Sequence, residues 1–146
     1  MKTYIFDIDG TIADTEHRQH FVRHRPYDWE SWFDNAHKDT PIKEVVEIME
    51  LAHNAGIKNV LCTGRDEAQR QDTIKWLDDH NIVWFDKIYM RPYLDRRDDD
   101  IIKRELYEQM KADGYNPVLV FEDRDRVVKM WREMGMRCLQ VNYGDF

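Results

Sequence analysis

The run Asp7-Ile8-Asp9-Gly10-Thr11 sets two carboxylates two residues apart, directly after an apolar, strand-like segment. Two such acids can divide labour. One attacks as a nucleophile or holds a cation, while the other, displaced by the turn, gives and takes the leaving group's proton. Gly10 permits a tight backbone between them; the plainer alternative is a strand that ends in an Asp-rich turn. Cys62-Thr63-Gly64-Arg65 leaves a hydroxyl and a guanidinium at the end of a second apolar run, just before a helical stretch whose N-terminus suits phosphate. Thr63 could equally cap a helix beginning at Asp66. In Asp98-Asp99-Asp100-Ile101-Ile102-Lys103, Lys103 falls one helical turn beyond Asp99, so an acid and an ammonium share a helix face, as an ordinary surface ion pair also would. Phe121-Glu122-Asp123-Arg124-Asp125 again brings acids to a strand end, competent to bind a hard cation such as magnesium or to cap the next helix.

Five apolar runs crowded with β-branched and aromatic residues supply strands to position these groups: Thr3–Ile8, Asn59–Thr63, Ile82–Met90, Val118–Phe121 and Arg137–Val141. Amphipathic stretches alternate with them. Pro41–Ala55 reads as a helix with Thr40 as N-cap, Pro41 at its first position and Gly56 past its end; Asp66–His80, Asp99–Ala112 and Asp125–Met134 read likewise. The alternation predicts an α/β fold, a parallel five-stranded sheet with helices on both faces and ligands outside the carboxyl ends of the strands. All four motifs fall at such ends or at helix starts. A length of 146 residues with 42% hydrophobic residues predicts a single domain, 1–146, with a short insertion at about 14–40 rich in aromatic, basic and histidine residues. A formal charge of −7 argues against general electrostatic coating of duplex nucleic acid. No apolar run approaches the roughly 20 residues that span a bilayer, and the N-terminus does not read as a signal peptide, so the cytoplasm is the expected compartment. Cys62 and Cys138 read as buried, reduced thiols.

The order DxDGT, TGR, Lys and acidic pair, across nearly the whole chain, resembles the haloacid-dehalogenase (HAD) superfamily of phosphotransferases, with its Rossmann-like sheet. The resemblance implies that Asp7 takes the phosphoryl group, Asp9 serves as general acid and then base, and Thr63 and Lys103 hold the phosphoryl oxygens. Mg2+ would lie on Asp7, the backbone carbonyl of Asp9, and Asp123. VVKMWREMGMRCLQVNYGDF, with RRDDDIIK and FEDR, is similar to the 3′-phosphatase domain of bacteriophage polynucleotide kinase/phosphatase. That similarity implies further substrate-binding roles for Arg18, Gly64, Arg65 and Asp99, with Arg18 and Arg65 on the phosphate and Asp99 holding the Arg65 fork. It also implies 3′-phosphorylated DNA or RNA ends or nucleotides as partners, and the host cytoplasm if the chain is phage-encoded. Glu122 stands where the phage family often has aspartate, a possible outer-shell ligand. No G-x-x-x-x-G-K-[ST] phosphate loop is present, so the family's kinase activity is not expected of this chain. The small insertion implies an open site suited to a large substrate. A 5′-nucleotidase or small-metabolite phosphatase is the alternative on the same motifs.

Overall fold

The computed structural model describes all residues, Met1–Phe146. Its strands are β1 (Lys2–Phe6), β2 (Ala13–Asp14), β3 (Thr40–Pro41), β4 (Lys58–Asp66), β5 (Lys87–Arg91), β6 (Asn116–Glu122) and β7 (Arg137–Gln140). Its α-helices are α1 (His20–Arg23), α2 (Trp29–Asp34), α3 (Lys43–Asn54), α4 (Arg70–Asp79), α5 (Asp99–Ala112) and α6 (Asp125–Glu133). Five strands form one parallel sheet in the order β5-β4-β1-β6-β7, which puts β1 at the centre.

Period-two alternation sends successive side chains to opposite faces. Ile5, Val60, Cys62, Tyr89 and Val120 join Ile102, Leu106, Met110, Val127 and Trp131 of α5 and α6 in one core. Phe6, Leu61, Ile88, Met90 and Phe121 join Val45, Met49, Trp76 and Leu77 of α3 and α4 in the other. Both cysteines are free and buried. This is the expected α/β arrangement, and α5 has the expected boundaries.

Three local expectations are corrected. The run from Ile82 is strand only from Lys87; before it, the Ile82 N–H bonds the Leu77 carbonyl and the Trp84 carbonyl accepts from the Asn59 side chain, so the backbone closes α4 instead of a ladder. Thr40 does not cap a helix. Thr40 and Pro41 pair antiparallel with Asp14 and Ala13, the Ile42 N–H reaches the Ile12 carbonyl, and α3 starts at Lys43. The helix expected over Asp66–His80 is also displaced, because β4 runs on through Asp66; Asp66 caps a 3-10 turn, Glu67–Gln69, ahead of α4, which starts at Arg70. The insertion carries α1, α2 and two 3-10 turns above the two-residue β2–β3 neck.

Trp131, fully buried and edge-on to Tyr107, is the largest fully buried side chain, and its indole N–H has no acceptor. Trp131→Ala should lower the unfolding free energy by about 3–5 kcal/mol in urea denaturation. Trp131→Phe should cost much less, since no hydrogen bond is lost. Equal costs would refute this account of the core.

Candidate active site

The central strand delivers the first carboxylate. Past Phe6, the Asp7 N–H bonds the Phe121 carbonyl of β6, and the chain then turns tightly, with the N–H groups of Thr11, Ile12 and Ala13 all directed at the Ile8 carbonyl. Ile8 and Ile12 are fully buried and anchor this turn, leaving Asp7 and Asp9 on either side of Ile8. Gly10 is needed twice over. Its φ is +81°, and a Cβ there would stand 2.0 Å from an Asp123 carboxylate oxygen.

Lys103 comes from the first turn but one of α5 and is only 1% exposed, which rules out a surface ion pair. Its Nζ donates to Asp7 Oδ1 at 2.8 Å and Glu122 Oε2 at 2.7 Å, with Asp99 Oδ2 at 3.8 Å. Thr11 Oγ1 donates to the other Asp7 oxygen at 3.2 Å, so both carboxylate oxygens are oriented. Burial would strip the ammonium of its proton, but Asp7, Glu122 and Asp99 outweigh it and hold Lys103 well above its ordinary pKa. Glu122 uses its remaining oxygen on the N–H groups of Asp123 and Arg124, and thereby shapes the loop that carries Asp123.

Oxygens of Asp7, Glu122 and Asp123 lie within 4.8 Å of one another. Three buried carboxylates face one ammonium there. Desolvation and the Asp7 charge push Glu122 up to about 8, and desolvation, Asp7 and Glu122 push Asp123 up to about 10. A hard divalent cation relieves that crowding, and oxygen donors are what it takes. No hydrogen bond within the protein ends on the Asp9 backbone carbonyl, which leaves it available as a further oxygen ligand. The clustered carboxylates of Asp7 and Asp123 fit a divalent cation, with Glu122 tied to Lys103.

The second acid has a different environment. Asp9 accepts from Arg65 Nη2 at 2.6 Å and from Arg18 Nη2 at 2.9 Å. Burial would raise its pKa, but the two guanidiniums prevail and hold the carboxyl far below the usual carboxylate range. Arg65 reaches Asp9 because β4 gains residues between Thr63 and Asp66 relative to β5, a bulge that re-aims the chain beside the site. The Arg65 N–H bonds Thr63 Oγ1 at 3.1 Å, and its Nη1 bonds Thr73 of α4. Arg18 is fully buried: Nε and Nη2 bond Asp39, Nη1 bonds the Trp32 carbonyl, and the guanidinium lies 3.9 Å from the Trp32 ring centroid. All three guanidinium nitrogens of Arg18 thus hold protein partners, one of which is Asp9.

Asp99 does not hold Arg65, which corrects that expectation. Its carboxylate lies against Gly64, 2.1 Å from where a Cβ would be, within 3.3 Å of Arg91 and 3.8 Å of Arg124. Arg91 Nε in turn bonds the Gly64 carbonyl at 2.7 Å. Sequence reasoning missed Asp39, whose buried carboxylate takes Arg18, approaches Arg65 at 3.7 Å and meets His17 Nε2 at 2.6 Å. Its backbone carbonyl accepts from the Trp76 indole. Nothing in its spacing marks it.

Two expectations follow. Arg18→Met strands the Asp39 carboxylate and should cost about 3–5 kcal/mol, whereas Arg18→Met with Asp39→Leu should recover part of that loss; an equal or larger loss in the double variant would exclude the coupling. The second concerns pH. Glu122 and Asp123 have folded pKa values above their unfolded ones, so without metal their stabilising contribution is complete in acid and is lost as pH rises through about 8 and about 10. Cation binding displaces those protons. Millimolar Mg2+ should therefore raise the melting temperature more at about pH 8.5 than at about pH 6, and equal shifts would count against the shared site.

The whole chain, residues 1–146, matches the family of the polynucleotide kinase PNKP phosphatase domain. It is 35% identical to a chain of the Pnkp1/Rnl/Hen1 complex, at a TM-score of 0.85 over 99% of this chain and 47% of that one. It is also 27% identical over 133 residues to an Autographa californica nuclear polyhedrosis virus protein assigned by inference as a bifunctional polynucleotide kinase/RNA ligase, covering 91% of this chain and 18% of that one. The chain thus spans less than half the length of these relatives. A class C acid phosphatase from Bacillus anthracis shares the fold at a TM-score of 0.70 and 18% identity. With its four motifs gathered at the carboxyl edge of the sheet, the chain belongs to the PNKP phosphatase domain family of the HAD superfamily.

Proposed function

We propose that the chain is a Mg2+-dependent phosphatase that removes the 3′-phosphate from nucleic-acid ends or nucleoside 3′-phosphates through an aspartyl phosphate on Asp7. Family membership over the full length, together with the Asp7–Lys103–Asp123 cluster, carries this reading. Its setting would be a nucleic-acid repair pathway. Contact with partner proteins, as in the Pnkp1/Rnl/Hen1 RNA repair complex, belongs to the same proposal.

Lys103 and Thr11 hold the Asp7 carboxylate in one orientation for attack on phosphorus. As the Asp7 oxygen–phosphorus bond forms, the bond from phosphorus to the 3′-oxygen breaks, and Asp9 delivers a proton to that oxygen. Water then attacks the phosphoryl group, Asp9 takes its proton, and phosphate leaves with Asp7 restored. Asp9 rests as a carboxylate under its two guanidiniums, which is the form the second step needs. For the first step its proton becomes affordable when a phosphate draws the Arg65 fork away from it, a competition that bidentate geometry favours. Thr63 and Lys103 hold phosphoryl oxygens, with Gly64 and Asp99 shaping the adjoining wall. Mg2+ on Asp7, the Asp9 carbonyl and Asp123 would offset the repulsion between nucleophile and phosphate. No helix is long and apolar enough to cross a membrane.

Phosphate release should occur from a 3′-phosphorylated oligonucleotide, cease with chelation, and be abolished in Asp7→Asn without loss of fold. Equal or greater release from the 5′-phosphorylated oligonucleotide would favour a 5′-nucleotidase instead. Substantial activity in Asp7→Asn would exclude the covalent route.

A further inference from the structure

The insertion points its aromatic rings in two directions. Trp32 faces the body and supports Arg18, whereas Tyr27, Trp29 and Phe33 are 44, 51 and 36% exposed. These three rings are contiguous. Tyr27 meets Trp29 edge-on at 5.8 Å, and Trp29 stacks with Phe33 at 6.3 Å and 28°. Neither of the two hydrophobic cores includes them. A cluster of exposed aromatic rings is a recognised mark of a binding surface.

Its chemistry indicates the occupant. Residues 20–27, His-Phe-Val-Arg-His-Arg-Pro-Tyr, hold two arginines and no acid within a chain of charge −7. Arg23 and Arg25 are exposed and join none of the molecule's ion pairs. Arg25 lies 5.3 Å from the Tyr27 ring centroid. Glu30 and Asp34 extend from α2 itself, so the positive side of the surface is the α1 side. Exposed aromatic rings beside guanidiniums free of any ion pair suit unpaired bases and their phosphodiesters; a duplex keeps its base faces stacked on one another. The surface is also tied to the reaction centre, since α2 carries the Trp32 carbonyl that Arg18 grips while Arg18 bonds Asp9.

We propose that Tyr27, Trp29 and Phe33, with Arg23 and Arg25, form a stacking platform for the unpaired nucleotides that precede the 3′-phosphate, so that a single-stranded end is the favoured substrate. This rests on the 3′-phosphatase reading above. It differs from that reading in setting the length and strandedness of the substrate, while the chemistry stays at Asp7.

The test compares kcat/KM on a 3′-phosphorylated hexanucleotide, the same strand in a blunt duplex, and a nucleoside 3′-monophosphate. The wild type should prefer the single strand over both by about tenfold or more. Trp29→Ala with Phe33→Ala should remove that preference through KM, and Arg23→Ala with Arg25→Ala should reduce it and flatten its salt dependence. Quenching of tryptophan emission by a 3′-hydroxyl hexanucleotide should be lost in Trp29→Ala. Equal use of hexanucleotide and monophosphate by the wild type would overturn the platform. So would a preference that survives the aromatic double variant, including one whose only change is a lower melting temperature. If p-nitrophenyl phosphate is hydrolysed but no 3′-phosphate is, the parent reading fails; quenching by the hexanucleotide then decides the platform by itself.

Discussion

An ammonium removed from water is the constraint on which the site depends. Lys103 exposes 1% of its surface, and an ion so placed costs several kcal/mol unless partners replace its hydration. Those partners are Asp7 after the central strand and Glu122 at the end of β6, and they meet Lys103 only when α5 lies across the sheet. The residues of this cluster are therefore also a condition of correct docking. Removing the ammonium leaves carboxylates crowded together in a place that already disfavours their charge.

A second polar cluster works by the opposite balance. Around Asp9, two guanidiniums face the carboxylates of Asp9 and Asp39, so positive and negative charges are matched and Asp9 stays ionised. Around Asp7, carboxylates outnumber the ammonium and invite a cation. Two aspartates separated by one buried isoleucine thus meet unlike surroundings: two guanidiniums hold Asp9 ionised, whereas Asp7 shares its place with Lys103, Glu122 and Asp123. The turn between them exists because Gly10 admits a positive φ and the Asp123 carboxylate beside it.

Much of this was legible in the sequence, for reasons tied to periodicity. Continuous apolar runs marked the strands, because a parallel sheet covered by helices buries the side chains of both faces. Lys103 could be placed from its distance to Asp99 along one helix. The Arg65–Asp99 pairing failed because that reasoning does not see a bulge in β4, which turns Arg65 toward Asp9. Asp39 was invisible for a related reason. Ahead of Thr-Pro it resembles any turn acid, and its role arises only when the β2–β3 neck folds the far end of the insertion back upon Arg18. The apolar run from Ile82 misled in another way, since burial alone does not separate a strand from the segment that leads into it.

The neck has a consequence for how the molecule opens. Asp7 follows the innermost strand, hydrogen-bonded on both edges, where amides exchange with solvent only through openings near the global unfolding free energy. The insertion is held by a two-residue ladder, the Arg18 cluster and the Trp76–Asp39 bond, and so belongs to the part of the molecule that opens at lower free energy. Asp7 and Asp9, two residues apart in sequence, therefore draw on different cooperative units. A fluctuation that lifts the insertion withdraws Arg18 from Asp9 and leaves the Asp7–Lys103 contact closed, so the partners of the two carboxylates have separate lifetimes.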